Sequence, residues 1–272
     1  MGAVIITSAR RRPKFHHLRI ADVERLTEDA VAVTFEVPKD LRRAYAFEPG
    51  QYLTLRAHIG EEDVRRSYSI CTSKRTFSST GEVRVASARV GGGLMSNWLN
   101  DHAKIGESVQ VMTPLGDFTC PTQPATARHH VGIAAGSGIT PVLSLLLTVL
   151  EEEPDSRATL IFGNRHPDSV MFAEELSAWQ ETYGSRFALI PVFSRVAVDE
   201  HAVIGRIDET RLTSLLEGSL PVADVDEWYV CGPQPMVRTV RHVLTRRDVP
   251  REHMHQEVFH VEDNEADILR EA

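Results

Sequence analysis

The chain is 272 residues long, with 42% hydrophobic residues, 25% charged residues and a formal net charge of −8. That length suits two ordinary domains and the composition suits a soluble globular protein, while the acidic balance gives no electrostatic footprint for nucleic acid. No apolar run reaches the length of a membrane span, and the opening MGAVIITSARRRPKFHH places its charges after a short apolar stretch, the reverse of a secretory signal.

Residues 1–16 read as a flexible tail, with the basic run Arg10–Lys14 solvated. From 17 to 122 the chain reads as short strands separated by turn chemistry. The strands are Leu18–Val23, Ala30–Val37, Tyr52–Ile59, Arg66–Ile70, Val83–Val90 and Ser108–Met112; the turns are PKD, EPGQ, IGEED and SSTGE. This grammar predicts a small antiparallel β-barrel or sandwich, with one short helix over Leu94–His102. A polar linker follows at 123–129.

From 130 to 260 strands and helices alternate. VGIAA is a strand and ITPVLSLLLTVLEEE a helix, with Thr140 as its cap and Pro141 at the first helical position. ATLIFGN, ALIPVFS and WYVCGP are further strands; FAEELSAWQETYG, ETRLTSLLEG and QPMVRTVRHVLTRRDVP are helices. Such alternation predicts an open α/β domain with a parallel sheet. Residues 261–272 read as an acidic tail or linker.

Three cysteines, Cys71, Cys120 and Cys231, lie far apart without a CxxC or a close Cys/His pairing. A disulfide framework, a zinc site and an iron–sulfur cluster within this chain are therefore not expected, and a reducing cytoplasm is the simplest compartment. The histidines show no metal spacing.

Four stretches carry chemistry. In AAGSGITP, Gly136 and Gly138 between a buried strand and a helix permit close backbone approach, and the helix start offers free N–H groups to a pyrophosphate. A plain strand-to-helix turn would look the same. In GGGLMSNWL, glycines again lead into a helix, as an anion cradle or as a flexible loop. YVCGPQPM sets Cys231 at the carboxyl end of a strand, where open α/β sheets bind ligands, although a buried structural cysteine fits equally. Arg195 and Arg206 follow strand-like stretches on that same side and suit the extra phosphate of NADPH, or are solvated surface arginines.

RRSYSI, GGGLMSNWL, AAGSGITP, GNR and YVCGP, in this order and spacing, resemble the ferredoxin–NADP reductase superfamily. Within it the chain is similar to the reductase components of bacterial oxygenases, of the phenylacetyl-CoA epoxidase and ketosteroid hydroxylase type. The resemblance covers roughly residues 17–260. It implies an N-terminal FAD-binding barrel and a C-terminal NAD(P)-binding domain. Arg66, with Ser67 beside it, would pair with the FAD pyrophosphate, Tyr68 would lie along the isoalloxazine, and Ser69 would hydrogen-bond near flavin N5. Backbone around Gly92, Gly93, Leu94, Met95 and Ser96 would hold the same pyrophosphate. Asn164, Arg165, Ser194, Arg195 and Arg206 would line the nucleotide channel, with Cys231, Gly232 and Pro233 at its inner end. In HQEVF, Glu257 would sit near the reacting atoms and Phe259 would cover the flavin. Both also fit an ordinary edge strand.

Relatives of this type continue into a domain bearing a two-iron, two-sulfur cluster, whereas this sequence ends shortly after Phe259 without cluster ligands. The resemblance thus implies hydride transfer from NADPH, or NADH, to FAD, catalysed with Ser69, Cys231 and Glu257 in place, and onward electron transfer. The acceptor would be a ferredoxin-like iron–sulfur protein or an oxygenase component. A stand-alone NADPH:ferredoxin or flavodoxin reductase and a non-catalytic nucleotide-binding module are the rival readings.

Overall fold

Strict alternation starts the fold. Leu18 and Ile20 are fully buried and the intervening Arg19 is exposed, so one face of the first strand enters a core while the other meets solvent. The computed structural model describes residues 13–195 and 203–259. Of the expected tails, 1–16 and 261–272, residues 1–12 and 261–272 lie outside the described residues. Phe15 and His16, assigned by sequence to the tail, belong to the first strand and pair with Met112 and Val111.

The first half contains β1 (Phe15–Thr27), β2 (Ala30–Glu36), α1 (Arg42–Tyr45), β3 (Tyr52–Ile59), β4 (Glu62–Ser69), α2 (Lys74–Thr80), β5 (Glu82–Ala88), α3 (Leu94–His102) and β6 (Ser108–Met112). The six strands form one antiparallel sheet in the order β4-β3-β6-β1-β2-β5. A bridge from Ile70, just past β4, to Val85 of β5 curls the two edges toward each other. Pairing the edges removes the open ladder groups that a flat sheet would expose. Inside lie Val33, Phe35, Leu53, Leu55, Val83 and Val111, each at most 1% exposed. Burial of each such side chain contributes roughly 1.5–3 kcal/mol. From α3, Met95 and Leu99 plug this core.

α2 departs from expectation, because SSTGE reads entirely as a turn. Ser73 accepts the Thr76 N–H as N-cap, and only Gly81, at φ 77°, turns the chain out of the helix.

The second half contains β7 (His129–Ala135), α4 (Ile139–Glu152), β8 (Arg157–Asn164), α5 (Ala173–Tyr183), β9 (Phe187–Phe193), β10 (Val203–Ile204), α6 (Glu209–Glu217), β11 (Glu227–Pro233), α7 (Gln234–Thr245) and β12 (Met254–Phe259). All its strands are parallel, in the order β10-β9-β8-β7-β11-β12. β7 is buried on both faces, as a strand covered by helices on each side must be. Its first residue, His129, is the last of the expected linker.

The halves share a core. Ala30, Ala32, Cys71 and Ala86 of the barrel half cluster with Ile139, Val142 and Leu145 of α4. Polar contacts also cross the seam, among them Ser144 Oγ donating to the Thr72 carbonyl at 2.6 Å and Lys74 N–H donating to Thr148 Oγ1 at 3.3 Å.

Candidate active site

Topology places the candidate residues. In the parallel sheet the chain runs outward from β7 through β8, β9 and β10, then returns to the other side of β7 as β11 and β12. The strand order therefore reverses between β7 and β11, and the carboxyl ends of strands at such a switch point flank a crevice. Gly136 follows β7 and Cys231 ends the apolar run of β11, so two of the expected motifs meet there.

They meet closely. A Cβ on Gly138 would lie 2.6 Å from the Cys231 carbonyl carbon and 2.8 Å from Gly232 Cα. Only glycine permits that approach of one turn to the other. Gly232 itself has φ 151°. By contrast Gly136, at φ 52°, faces open space, with nothing within 4 Å of an added Cβ. Thr140 is not the helix cap. Gly136–Gly138 forms a 3-10 turn, Gly138 is the N-cap of α4, and the buried Thr140 hydroxyl donates back to the Ser137 carbonyl at 3.0 Å. Glycines carry this helix start, leaving backbone groups rather than a hydroxyl at the crevice.

On β12, Glu257 stands in register with Cys231, and Phe259 with Pro233. Glu257 is half-buried and its Oε2 is shielded without a hydrogen-bond partner among the described residues. Burial pushes this carboxyl up to about 7. Cys231 is fully buried, and burial, with the neighbouring Glu257 carboxylate adding to it, pushes its thiol well up. Phe259 packs on the core shared by the two halves, while Pro233 is exposed.

Farther along the same edge, Asn164 ends β8 and its carbonyl accepts the Ser194 N–H at 3.0 Å; the Arg165 carbonyl accepts the Arg195 N–H at 3.0 Å. β10 pairs with β9 through Ile204 and Phe193, so Arg195 and Arg206 each stand two residues beyond paired positions. Arg165, Arg195 and Arg206 are exposed, and Ser194 is half-buried. Residues 196–202, between the two arginines, lie outside the described residues.

On the barrel, β4 carries Arg66, Ser67, Tyr68 and Ser69. Val64, Arg66 and Tyr68 share one face by strand periodicity, and Tyr68 packs on the barrel core. Desolvation pushes its phenol up to about 12, a hydrogen bond with Ser87 and the Arg66 charge acting the other way. Arg66 is exposed and donates to the Arg65 carbonyl at 2.9 Å. On the other face, Ser67 Oγ and Thr54 Oγ1 lie 3.1 Å apart, and Ser69 is 4% exposed beside Tyr52.

α3 packs against β4 and β5, which brings the glycine loop to the same end of the barrel as this strand. Gly92 has φ 74° and open space around it, and Gly93 is the N-cap. Ser96 Oγ donates to the Gly93 carbonyl and accepts the Val90 N–H, both at 3.3 Å, and so fixes the loop. Leu94 is 39% exposed while Met95 turns into the core at 1%. Met95 can thus face an anion only through its backbone. Open left-handed glycines ahead of a helix, and an orphaned carboxyl oxygen in the opposed sheet, suit a dinucleotide cofactor on one side and a nicotinamide nucleotide on the other.

Sequence reading missed Arg84. From β5 its guanidinium crosses to α5, donating to Glu175 Oε2 at 2.6 Å and lying 5.0 Å over the Phe172 ring. A cation in an alternating strand was the one visible signal.

Known proteins share this arrangement. Residues 17–120 match the oxidoreductase FAD-binding domain family, and residues 133–242 match the oxidoreductase NAD-binding domain family. The chain is 40% identical over 245 residues to a subunit of the 1,2-phenylacetyl-CoA epoxidase of Escherichia coli, covering 90% of this chain and 68% of that protein. It is 34% identical over 248 residues to the ferredoxin reductase component of 3-ketosteroid-9-alpha-monooxygenase from Rhodococcus rhodochrous, covering 89% and 64%. It thus spans about two thirds of the length of these relatives. The crystal structure of an Amycolatopsis cytochrome P450 reductase superposes with a TM-score of 0.76 at 24% identity, covering 91% of this chain and 70% of that one. With an antiparallel barrel and a parallel nucleotide sheet each matched by its own family, the chain belongs to the ferredoxin–NADP reductase-like FAD- and NAD(P)H-dependent oxidoreductases.

Proposed function

We propose that this chain takes electrons from NADPH through FAD and passes them to a one-electron acceptor, as the reductase component of a multicomponent oxygenase. The observation that carries the reading is the contact of Gly138 with the Cys231 backbone at the switch point, with Glu257 in register beside it. The names of the relatives support the oxygenase assignment, since one is part of an epoxidase and another a monooxygenase reductase component. A ferredoxin-like iron–sulfur protein or the oxygenase itself is the partner, and the cytoplasm its compartment. Among the described residues no helix is long and apolar enough to cross a membrane.

Bound FAD supplies the redox chemistry, taking two electrons together and releasing them singly. The protein supplies position. Arg66 pairs with the cofactor pyrophosphate, Ser67 supports that strand through Thr54, and backbone groups from Gly92 to Ser96 complete the cradle. Tyr68 gives the flavin an aromatic wall and Ser69 offers a hydroxyl to its ring edge. Gly136, Gly138 and Gly232 let the nicotinamide nucleotide lie against the sheet, with Thr140 holding the turn from behind. Cys231 and Glu257 orient the nicotinamide, Phe259 guards its place, and Asn164, Arg165 and Ser194 border the channel. Arg195 and Arg206 clamp the 2′-phosphate.

The test is FAD affinity. Arg66→Ala is expected to weaken FAD binding at least tenfold, about 1.4 kcal/mol, with an unchanged melting profile in excess FAD. Equal affinity in the variant would remove Arg66 from the cofactor site. Cytochrome c reduction that depends on an added iron–sulfur protein supports the partner assignment, and full rates without one would contradict it.

A further inference from the structure

At the opposite, amino-terminal ends of β11 and β12, the sheet meets the crossover that leaves the barrel. Glu227 opens β11, His255 is the second residue of β12, and Cys120 lies in the crossover. Strand rise puts Glu227 four residues, roughly 13 Å, from Cys231, so this place is separate from the nucleotide crevice. Cys120 Sγ, a Glu227 carboxylate oxygen and a His255 ring nitrogen all lie within 4.8 Å of one another. His255 Nε2 is 2.9 Å from Glu227 Oε2. A candidate fourth donor stands beside Glu227: His253 Nδ1 is 3.5 Å from Glu227 Oε1, shielded from water and without a hydrogen bond.

A hydrogen-bonded polar cluster explains the first three groups, while the shielded His253 nitrogen has only the long 3.5 Å contact with Glu227 Oε1. Zinc-class cations favour this mixture of thiolate, imidazole and carboxylate, in tetrahedral sites of four protein donors. Bond lengths of roughly 2.0–2.3 Å bring tetrahedral ligand atoms within about 3.3–3.8 Å of one another, so modest side-chain adjustment closes the site. Charge balances as well. A divalent ion offsets one thiolate and the Glu227 carboxylate, while the neighbouring Arg128 guanidinium is neutralised by Glu153 and gives up to the ion its 3.6 Å contact with Glu227 Oε1. Arg128 Nη1 also lies 3.9 Å from Cys120 Sγ, where it can support a metal-bound thiolate from outside. A cavity of about 520 Å³, lined by Asp226, Arg247 and His253 among others, reaches the cluster's His253 side.

We propose that Cys120, Glu227, His253 and His255 bind one divalent, zinc-class cation that staples the crossover to the far strands of the nucleotide sheet. Binding expels the thiol proton and the proton shared by His255 and Glu227. Sequence spacing hid this site, because Cys120 meets Glu227 and His255 only through the fold.

Cobalt(II) titration of the chelator-treated full chain tests the proposal. One equivalent is expected to give a thiolate-to-cobalt charge-transfer band and intense tetrahedral visible bands, both abolished by added zinc. Cys120→Ser is expected to lose the charge-transfer band, while the buried Cys71 and Cys231 remain. Zinc in large excess is expected to raise the melting midpoint of the wild type by about 5 °C and to leave a His253→Gln/His255→Gln double variant unmoved. Absence of the thiolate band in the wild type would overturn the proposal, as would its persistence in Cys120→Ser. Should Cys120→Ser fail to fold, the wild-type titration and the histidine variant still decide.

Discussion

Glu257 and Cys231 face one another across two parallel strands, in register at the carboxyl edge of the sheet. The carboxyl has a shielded, unpartnered Oε2, and burial holds it up to about 7. An acid whose folded value is raised binds more protons folded than unfolded between the two values, so stability falls as pH rises from about 4.5 to about 7. The glutamine variant removes that loss. With chelator present, Glu257→Gln should be more stable than wild type at pH 8 by on the order of 2 kcal/mol, after discounting for its partial exposure. At pH 4.5 the two should melt together. A constant difference across that range would contradict the burial of the charge.

The glycines at the switch point should separate cleanly. Gly138→Ala meets backbone, which cannot yield as a side-chain tip can, and should cost about 1–3 kcal/mol in denaturant unfolding. It should also weaken nucleotide affinity by shifting the turn. Gly136→Ala has open space and only an unfavourable φ of 52°, so it should cost about 1 kcal/mol. Equal costs would show that close approach is not what position 138 requires.

Arg84 and Glu175 join the barrel to the nucleotide domain. The pair is 2.6 Å apart, with side chains 22% and 26% exposed. A double-mutant cycle of Arg84→Ala and Glu175→Ala should give a coupling of about 1–2 kcal/mol in denaturant melts. Zero coupling would make the contact incidental and leave the apolar seam and its hydrogen bonds through Ser144 and Lys74 to hold the halves.

Arg195 and Arg206 should set coenzyme preference. Replacing both with alanine is expected to weaken NADPH binding by about tenfold or more, while NADH binding changes less than twofold. Parallel loss of both coenzymes would refute the phosphate clamp.

Much of this is legible in the sequence because local rules and global fold agree. Alternation marks β3 and β6, and continuous apolar runs mark the buried parallel strands. Where one residue type has two uses, reading fails. SSTGE looks like a turn, yet Ser73 upstream caps a helix that only Gly81 ends. Thr140 looks like a cap, yet glycines flexible enough for a 3-10 turn move the helix start past it. Relationships between distant residues have no local signal. Arg84 with Glu175, His130 with Glu153, and Cys120 with His255 come together only once both sheets are built. The five motifs are visible, but the meeting of AAGSGITP and YVCGP at the reversal between β7 and β11 follows from strand order, which pattern alone does not determine.

Anaerobic reduction tests the central claim most directly. The purified chain, supplied with FAD and freed of excess, should retain one equivalent of flavin, and one equivalent of NADPH should bleach its visible absorbance. A chain that retains no flavin, or a bound flavin whose absorbance NADPH leaves unchanged, would contradict electron transfer across this crevice.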